Sequence, residues 1–126
     1  MVDVTPLVKE GAQIIQAYEG GSFRVSGHLY DSAVLVFADQ TMVWDVSDFN
    51  SLTAESFKTL IDRADEIDVV LLGTGAQIAF LPHSLRNELK EAGLSVDVMD
   101  TGAACRTYNV LMAEGRRVVA ALLPSA

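Results

Sequence analysis

The amino-acid sequence predicts an α/β fold: a single domain in three layers, with a mixed, largely parallel central sheet, covering helices and an extra N-terminal β layer. Its 126-residue length fits one domain spanning residues 1–126. Short β-branched and aromatic runs separated by glycines fill the first half, which is typical of strands and turns. Apolar strands alternate with helical spacing in the second half, which predicts crossover connections and parallel pairing.

Five short strands are predicted in the first half of the chain. Each is an apolar or β-branched run, and glycines or polar pairs such as Asp39-Gln40 interrupt the runs. The predicted strands cover residues 14–18, 23–25, 28–30, 33–38 and 42–45. Together, the strands at its N-terminal end form the extra β layer.

The second half begins with a predicted helix and a buried strand. Thr53 is placed to cap a helix over residues 54–63, in which apolar side chains recur at i, i+3 and i+4 from Phe57. Residues 69–72 are apolar at every position, which predicts a strand buried on both faces.

Two further helices and two further strands follow. Pro82 suits the start of the second helix and Gly93 its C-terminal end. The remaining predicted elements are a strand at 96–99, a helix that Thr101 opens and that ends near Gly115, and a closing strand at 118–123.

Composition excludes several classes of function. Nine basic and 17 acidic residues give a net charge of −8, so we expect no nucleic-acid partner. The apolar runs are far shorter than the ~20 residues that cross a bilayer, so we expect no membrane span. One cysteine provides no internal disulfide. Residues 1–6 lack the pattern of a leader peptide, and we expect a cytoplasmic location.

The segment Gly73-Thr74-Gly75 follows a buried strand directly. It has two interpretations: a structural turn, or a backbone approach to a phosphate group. The dinucleotide pattern is incomplete because Ile78 stands where its third glycine belongs, and no lysine is near. The first interpretation is the commoner one for glycine turns.

If the strands at 69–72 and 96–99 are parallel neighbours, their carboxyl ends form one corner, where open α/β sheets bind ligands. The Gly102 and Ala103 N–H groups, two threonine hydroxyls and the Arg106 guanidinium would then be donors. Alternatively, Thr101 only caps the helix and Asp100 opposes an anion. The candidate ligand- or partner-binding residues are Gly73, Thr74, Gly75, Asp100, Thr101, Gly102, Ala103, Cys105, Arg106, Tyr108 and Asn109.

Cys105 has a functional and a structural interpretation. In the first helical turn, the helix dipole and Arg106 would lower the thiol pKa and favour a nucleophile. Neither His28 nor His83 stands in a signature that links it to the thiol as a base, and a small buried apolar role is the commoner one. We therefore predict no catalytic residue, and the ligand spacing also predicts no metal and no cofactor.

Trp44, Tyr108 and Asn109 are predicted to stabilise the packing of the fold. Trp44 and Tyr108 are amphipathic packing residues, and Tyr108 and Asn109 also donate or accept hydrogen bonds that hold the helix against a loop. The same two residues would alternatively contact a partner protein.

Arg116 and Arg117 are expected to stabilise the helix end at Gly115, and a role in docking to a partner is the second interpretation. The acidic residues expected to form a solvated face and its loop are Glu55, Asp62, Asp65, Glu66 and Asp68.

A series of motifs from residue 14 to residue 123 resembles a known family. The series contains Tyr18, Gly20 and Phe23, then Gly27 and Tyr30, then Trp44, Leu71-Leu72-Gly73-Thr74-Gly75, Met99-Asp100-Thr101 through Asn109, and Glu114-Gly115-Arg116. It resembles the Mth-type conserved hypothetical proteins, the domain shared with mitochondrial complex I assembly factor three. The resemblance implies a three-layer α/β fold with an extra β layer. It also implies protein partners, respiratory-complex assembly components among them, rather than a known reaction.

Two functions follow as hypotheses. The favoured one is a non-enzymatic protein-interaction or assembly-factor domain, because the chain lacks a nucleophile with a base, metal-ligand spacing and a complete phosphate motif. The alternative is a small-molecule or anion-binding protein or enzyme that uses the corner of the 73–75 and 101–106 segments. Exposed strand edges are compatible with a homodimer.

Overall fold

The computed structural model describes residues 12–125, which contain two β-sheets and three α-helices. The strands are β1 (Ile15–Ala17), β2 (Phe23–Val25), β3 (His28–Tyr30), β4 (Val34–Val36), β5 (Thr41–Val43), β6 (Val69–Gly73), β7 (Val96–Met99) and β8 (Val118–Leu122). The helices are α1 (Lys58–Ile61), α2 (His83–Glu91) and α3 (Thr101–Ala113). The prediction for residues 1–6 lies outside the described residues.

The larger sheet has five strands in the order β5-β4-β8-β6-β7. β4 pairs antiparallel with β5 and β8, whereas β6 pairs parallel with β7 and β8. The sheet is therefore mixed, and its parallel part consists of the three strands from the second half of the chain. β1, β2 and β3 form a separate antiparallel sheet. These findings confirm the predicted α/β class and the extra N-terminal β layer.

Both faces of the large sheet are covered. Successive side chains of the central strand β8 point to opposite sides, and each side belongs to a different core. Val119 and Ala121 belong to a core that includes α2, and Val118, Ala120 and Leu122 to one that includes α3 and the small sheet. This alternation explains why β6 and β8 are apolar at consecutive positions. In the first core, the Trp44 ring packs edge-on against the Phe57 ring, with the ring centroids 5.5 Å apart. This contact confirms the predicted packing role of Trp44.

Only part of the first predicted helix is an α-helix. It begins at Ala54 as predicted, but residues Ala54–Phe57 form a 3₁₀ turn and α1 ends at Ile61, so the prediction of a continuous helix over 54–63 is wrong. The indole Nε1 of Trp44 donates to the Ser56 carbonyl at 2.8 Å, an oxygen that a regular α-helix uses internally. Trp44 is thus anchored to the backbone of this segment.

The third helix ends close to the predicted residue. Gly115 has φ +83°, and the Gly115 and Arg116 N–H groups bond to the carbonyls of Met112 and Leu111 at 3.0 Å each, which closes the helix. Arg117 is predicted to stabilise this helix end, but its side chain bonds elsewhere. Its guanidinium instead bonds to the Asp68 carboxylate at 2.8 Å and to the Asp65 carbonyl at 3.1 Å.

The surface agrees with the predicted charge pattern. The five acidic residues expected on a solvated face are all exposed. Arg117 lowers the pKa of the Asp68 carboxyl below its ordinary value, chiefly through their side-chain hydrogen bond.

None of the helices within residues 12–125 has the length and apolar character needed to cross a bilayer.

Candidate functional site

The predicted corner exists, because β6 and β7 are parallel neighbours with Gly73 opposite Met99. Beyond the last pair, the Thr74 N–H donates to the Met99 carbonyl at 3.0 Å. The Thr101 N–H then donates to the Gly75 carbonyl at 2.9 Å, which joins the start of α3 to the turn. The 73–75 turn and the N-terminus of α3 are therefore in direct contact.

Gly73 is required by the close approach of α3 to the sheet. A Cβ atom at this position would lie 3.0 Å from the Thr101 Cα and 3.0 Å from a Leu122 side-chain carbon. Gly75 has φ +109°, a conformation that side chains rarely adopt. The presence of glycine at both positions thus has a structural explanation, which supports the interpretation of this segment as a turn.

The Thr101 hydroxyl is buried inside the corner. It donates to the Leu123 carbonyl at 2.6 Å and accepts from the Gly75 N–H at 2.8 Å. The side chain is fully buried. Thr101 is the first residue of α3 and Asp100 is its N-cap, so the interpretation of Thr101 as the helix cap is wrong. Its hydroxyl instead holds three segments together, and it is not available to a ligand in this arrangement.

The Thr74 hydroxyl organises the loop that leaves β6. It donates to the Gln77 carbonyl at 2.7 Å and accepts from the Ala79 N–H at 3.1 Å. These two bonds fix the path of residues 76–79. The loop exposes two large apolar side chains: Ile78, within the anchored residues, is 49% exposed, and Phe80, just after them, is 71% exposed.

Asp100 is the residue that caps α3. Its carboxylate accepts from the Ala103 N–H at 2.9 Å, and its carbonyl accepts from the Ala104 N–H at 3.0 Å. A negative group of the chain itself thus lies where the sequence suggested an external anion. This geometry argues against anion binding at the N-terminus of α3.

The outer wall of the corner is an arginine–tyrosine contact that the sequence analysis did not predict as part of the site. Arg106 Nη1 donates to the Tyr18 hydroxyl at 2.8 Å. Gly102 makes room for this contact, since a Cβ there would lie 3.1 Å from Tyr18 Cε2. Arg106 is exposed and its outer edge faces solvent. The two partners are 88 positions apart in the sequence, so no local signal indicates the pairing.

Cys105 is buried, with 1% of its surface exposed. Burial raises the pKa of its thiol to about 12, and Arg106 opposes this shift only in part. Arg106 thus lowers the thiol pKa as predicted, but burial outweighs it, and the expectation of a lowered pKa overall is wrong. Cys105 packs as a small apolar residue beside Ala104 and Tyr108 in the second core.

Tyr108 and Asn109 hold α3 against the N-terminal segment, as predicted. The Tyr108 hydroxyl lies 2.9 Å from the Gln13 carbonyl and 3.0 Å from the Phe37 carbonyl. Asn109 pairs with the backbone of Ile15: its Oδ1 accepts from the N–H at 3.0 Å and its Nδ2 donates to the carbonyl at 2.8 Å. Both side chains are thus engaged within the chain.

The described residues form no metal-binding cluster, and two surface clefts lie away from the corner. Residues 12–125 contain no group of three or more histidine, cysteine or carboxylate side chains arranged to hold a metal ion. Two surface clefts, of about 780 and 700 Å³, are lined by other residues than those of the corner. The corner is a shaped surface whose polar groups are largely satisfied internally.

Two relatives of known sequence cover most of the chain. An uncharacterised protein of Rhodobacter capsulatus is 42% identical over 114 residues, which are 90% of this chain and 86% of that protein. The NADH dehydrogenase (ubiquinone) 1 alpha subcomplex assembly factor 3 of Danio rerio is 32% identical over 111 residues, which are 88% of this chain and 64% of that protein. The chain thus spans less than two thirds of that assembly factor.

Solved structures share the fold. A crystal structure of a Bordetella parapertussis protein has a TM-score of 0.82 and 35% identity, covering 91% of this chain and 98% of that chain. A solution structure of a Bordetella pertussis protein, described as a Mth938-like domain, has a TM-score of 0.78 and 28% identity, covering 100% of this chain and 92% of that chain. These likenesses confirm the resemblance found in the sequence. Residues 15–123 match the family described as a protein of unknown function (DUF498/DUF598), and the chain belongs to that family.

Proposed function

We propose that this chain is a non-enzymatic protein-interaction domain that assists the assembly of a respiratory complex, and that the corner is its partner surface. The observation that carries the proposal is the internal use of the corner's polar groups. Both threonine hydroxyls and the Asp100 carboxylate bond within the chain. Such a site is rigid and closed, which suits recognition by a second protein better than enclosure of a small ligand.

The chemistry left at the surface also supports a protein partner. Arg106 presents an exposed guanidinium, and Phe80 presents an exposed ring on the loop that Thr74 anchors. Arginine and aromatic side chains are enriched among the residues that dominate protein interfaces. Because the loop is already fixed by hydrogen bonds, little conformational entropy is lost when it is covered.

An enzymatic role at this corner has less support. The only cysteine is buried, and its pKa is raised to about 12, so it is a poor nucleophile near neutral pH. The N-terminus of α3 is occupied by the chain's own Asp100. The ligand-binding alternative would therefore require the corner to rearrange.

The assembly part of the proposal draws on the relatives. The Danio rerio relative is an assembly factor of NADH dehydrogenase by name, and its similarity covers 88% of this chain. This chain spans 64% of that protein, so the proposal concerns the shared domain. The expected partners are subunits or assembly proteins of the corresponding respiratory complex.

The test is affinity capture of tagged protein from its native cells, with membranes solubilised. We compare the wild type with Arg106→Glu and Phe80→Ser, and with Leu29→Ser as a matched control, because Leu29 is 60% exposed on the separate small sheet. Recovery of respiratory-complex proteins that the Arg106→Glu variant loses, and the control keeps, supports the proposal. A loss with Phe80→Ser as well extends the partner surface to the loop after β6. Fractionating the cells beforehand tests the cytoplasmic location, which is part of the proposal.

Two results would contradict the proposal. One is a capture without any respiratory-complex protein. The other is an unchanged set of respiratory-complex proteins with Arg106→Glu, which would place the partner surface elsewhere on the chain. Folding of each variant is checked by circular dichroism, so that a lost partner is not confused with an unfolded protein.

A further inference from the structure

A groove of about 700 Å³ runs between α2 and β7, and it shares no lining residue with the corner. Its walls are the outer face of α2 and the strand β7, which lies at the edge of the five-stranded sheet. The apolar part of its lining consists of Leu81, Leu89, Leu94, Val96 and Val98. Within residues 12–125, β7 pairs with β6 alone.

The open side of β7 carries unpaired backbone groups. The Ser95 and Met99 carbonyls accept from the N–H groups of Val70 and Thr74 at 2.8 and 3.0 Å, so these odd-numbered residues face β6. In a parallel pair, alternate residues direct their N–H and C=O groups to opposite sides. Val96 and Val98 therefore direct theirs away from β6. These groups form a template for one more strand.

The wall formed by α2 is basic although the chain has a net charge of −8. His83, Arg86 and Lys90 line the groove and are exposed. Neither Arg86 nor Lys90 forms an ion pair with another residue of the described part of the chain. Of the described carboxylates, only that of Asp97 lines the groove. The groove thus has a local charge opposite to that of the whole molecule.

The spacing of the basic residues matches an extended chain. Arg86 and Lys90 are four residues apart on α2, which is about 6 Å along the helix axis. Side chains on the same face of a strand are two residues apart, which is about 6.6 Å. Acidic side chains at alternate positions of a strand beside β7 would therefore reach Arg86 and Lys90 in turn.

The geometry points to a peptide-docking groove: an extended segment of a partner protein, with acidic side chains at alternate positions, adds to the free edge of β7 and faces Arg86 and Lys90 of α2. Backbone hydrogen bonds to Val96 and Val98 supply affinity, and the two cations select for acidic side chains. This surface is independent of the corner, and purified protein with a synthetic probe tests it separately from any assembly role.

The first test measures binding of an end-blocked, fluorescently labelled peptide of eight residues, alternating glutamate and valine, by anisotropy at low ionic strength. Reversing both charges with Arg86→Glu and Lys90→Glu should weaken binding by at least about tenfold. The matched control, Arg24→Glu with Lys58→Glu, makes the same change in net charge at exposed residues outside the groove. Equal weakening in both double variants, or none in the first, overturns the proposal.

The second test distinguishes strand addition from a purely electrostatic contact. Two versions of the peptide carry backbone N-methyl groups, one on the glutamates and the other on the valines. Only one set of N–H groups faces β7 in an added strand, so one version should lose binding and the other should keep most of it. Amide resonances of Val96 and Val98 should shift with the active version. Equal affinity of both versions, or tighter binding of a single-stranded oligonucleotide of equal charge, overturns the proposal.

Discussion

One hydroxyl group, that of Thr101, connects the ends of three segments in the interior. It belongs to the first residue of α3, and it bonds to the turn after β6 and to the backbone beyond β8. A buried polar atom is costly unless it is paired, and here the donor and acceptor capacities are both used. Among the described residues, no buried side-chain nitrogen or oxygen is left without a partner. The hydroxyl is therefore a structural group.

Replacing this hydroxyl tests its role. We expect Thr101→Val to lower the free energy of unfolding by about 2 to 4 kcal/mol, because the Gly75 N–H and the Leu123 carbonyl would stay buried without a partner. The measurement is urea denaturation followed by circular dichroism. Thr59→Val is the control, because Thr59 is exposed, and a change within about 0.5 kcal/mol is expected there. A Thr101→Val protein as stable as this control would contradict the structural role.

The thiol of Cys105 provides a second prediction at this scale. With a pKa of about 12, native Cys105 should react with a disulfide reagent at about pH 8 more than about a hundredfold slower than the unfolded chain does. Absorbance of the released thiolate measures the rate. The control is Val110→Cys in a Cys105→Ala background, since Val110 is 58% exposed on the same helix. Equal rates for the native thiol and this control would show that Cys105 is accessible.

At the scale of elements, α3 is the piece that joins the two sheets. Its inward face packs against β6 and β8, and Asn109 pairs with the edge of β1 through two hydrogen bonds. A side-chain amide thus takes the place of a neighbouring strand for one residue of the small sheet. This contact and the packing of Ile15, Phe23 and Val25 in the second core hold the small sheet beside the helix.

Removing the amide should loosen β1 locally. In Asn109→Ala we expect hydrogen exchange of the Ile15 amide to accelerate by at least about tenfold, with a loss of about 1 kcal/mol in the free energy of unfolding. Exchange measured by NMR resolves this amide. Val110→Ala, at the next and exposed position, should leave the Ile15 amide unchanged. If exchange at Ile15 is the same in Asn109→Ala and in the wild type, the pairing does not hold β1.

Local pattern predicted the elements well where burial alone determines them. β6 and β8 are apolar at every position because both faces of the sheet are covered, and their positions in the sequence are close to the predicted ones. The segment at 54–63 contains a tertiary contact that the local pattern does not reveal, the bond from Trp44 to the Ser56 carbonyl. The Tyr18–Arg106 contact likewise depends on tertiary structure. Contacts between distant residues leave no trace in periodicity, which is why the corner's location was predictable and its bonding was not.

At the scale of the whole molecule, the two cores share β6. Leu72 belongs to the core with α2, and Leu71 belongs to the core with α3 and the small sheet. Both side chains are almost completely buried. Because one strand serves both cores, neither core can be lost while the other keeps its packing.

This arrangement predicts a single unfolding transition. Leu71→Val and Leu72→Val should each lower the free energy of unfolding by about 1 kcal/mol. The fluorescence of Trp44, the one tryptophan, reports on the first core, and far-ultraviolet circular dichroism reports on the whole chain. We expect the two signals to shift together in both variants. A Leu71→Val protein whose fluorescence transition stays at the wild-type midpoint would contradict the coupling of the cores.

The central place of β8 also has a consequence for biosynthesis. Of the eight strands within residues 12–125, β8 comes last in chain order, yet it lies between β4 and β6 and pairs with both. During translation, β4 and β6 are therefore made well before the strand that separates them. The five-stranded sheet can close only after residues 118–122 have left the ribosome, so this domain completes its folding after synthesis of its last strand. Until then, the apolar edges of β4 and β6 are surfaces that a nascent-chain chaperone would be expected to cover.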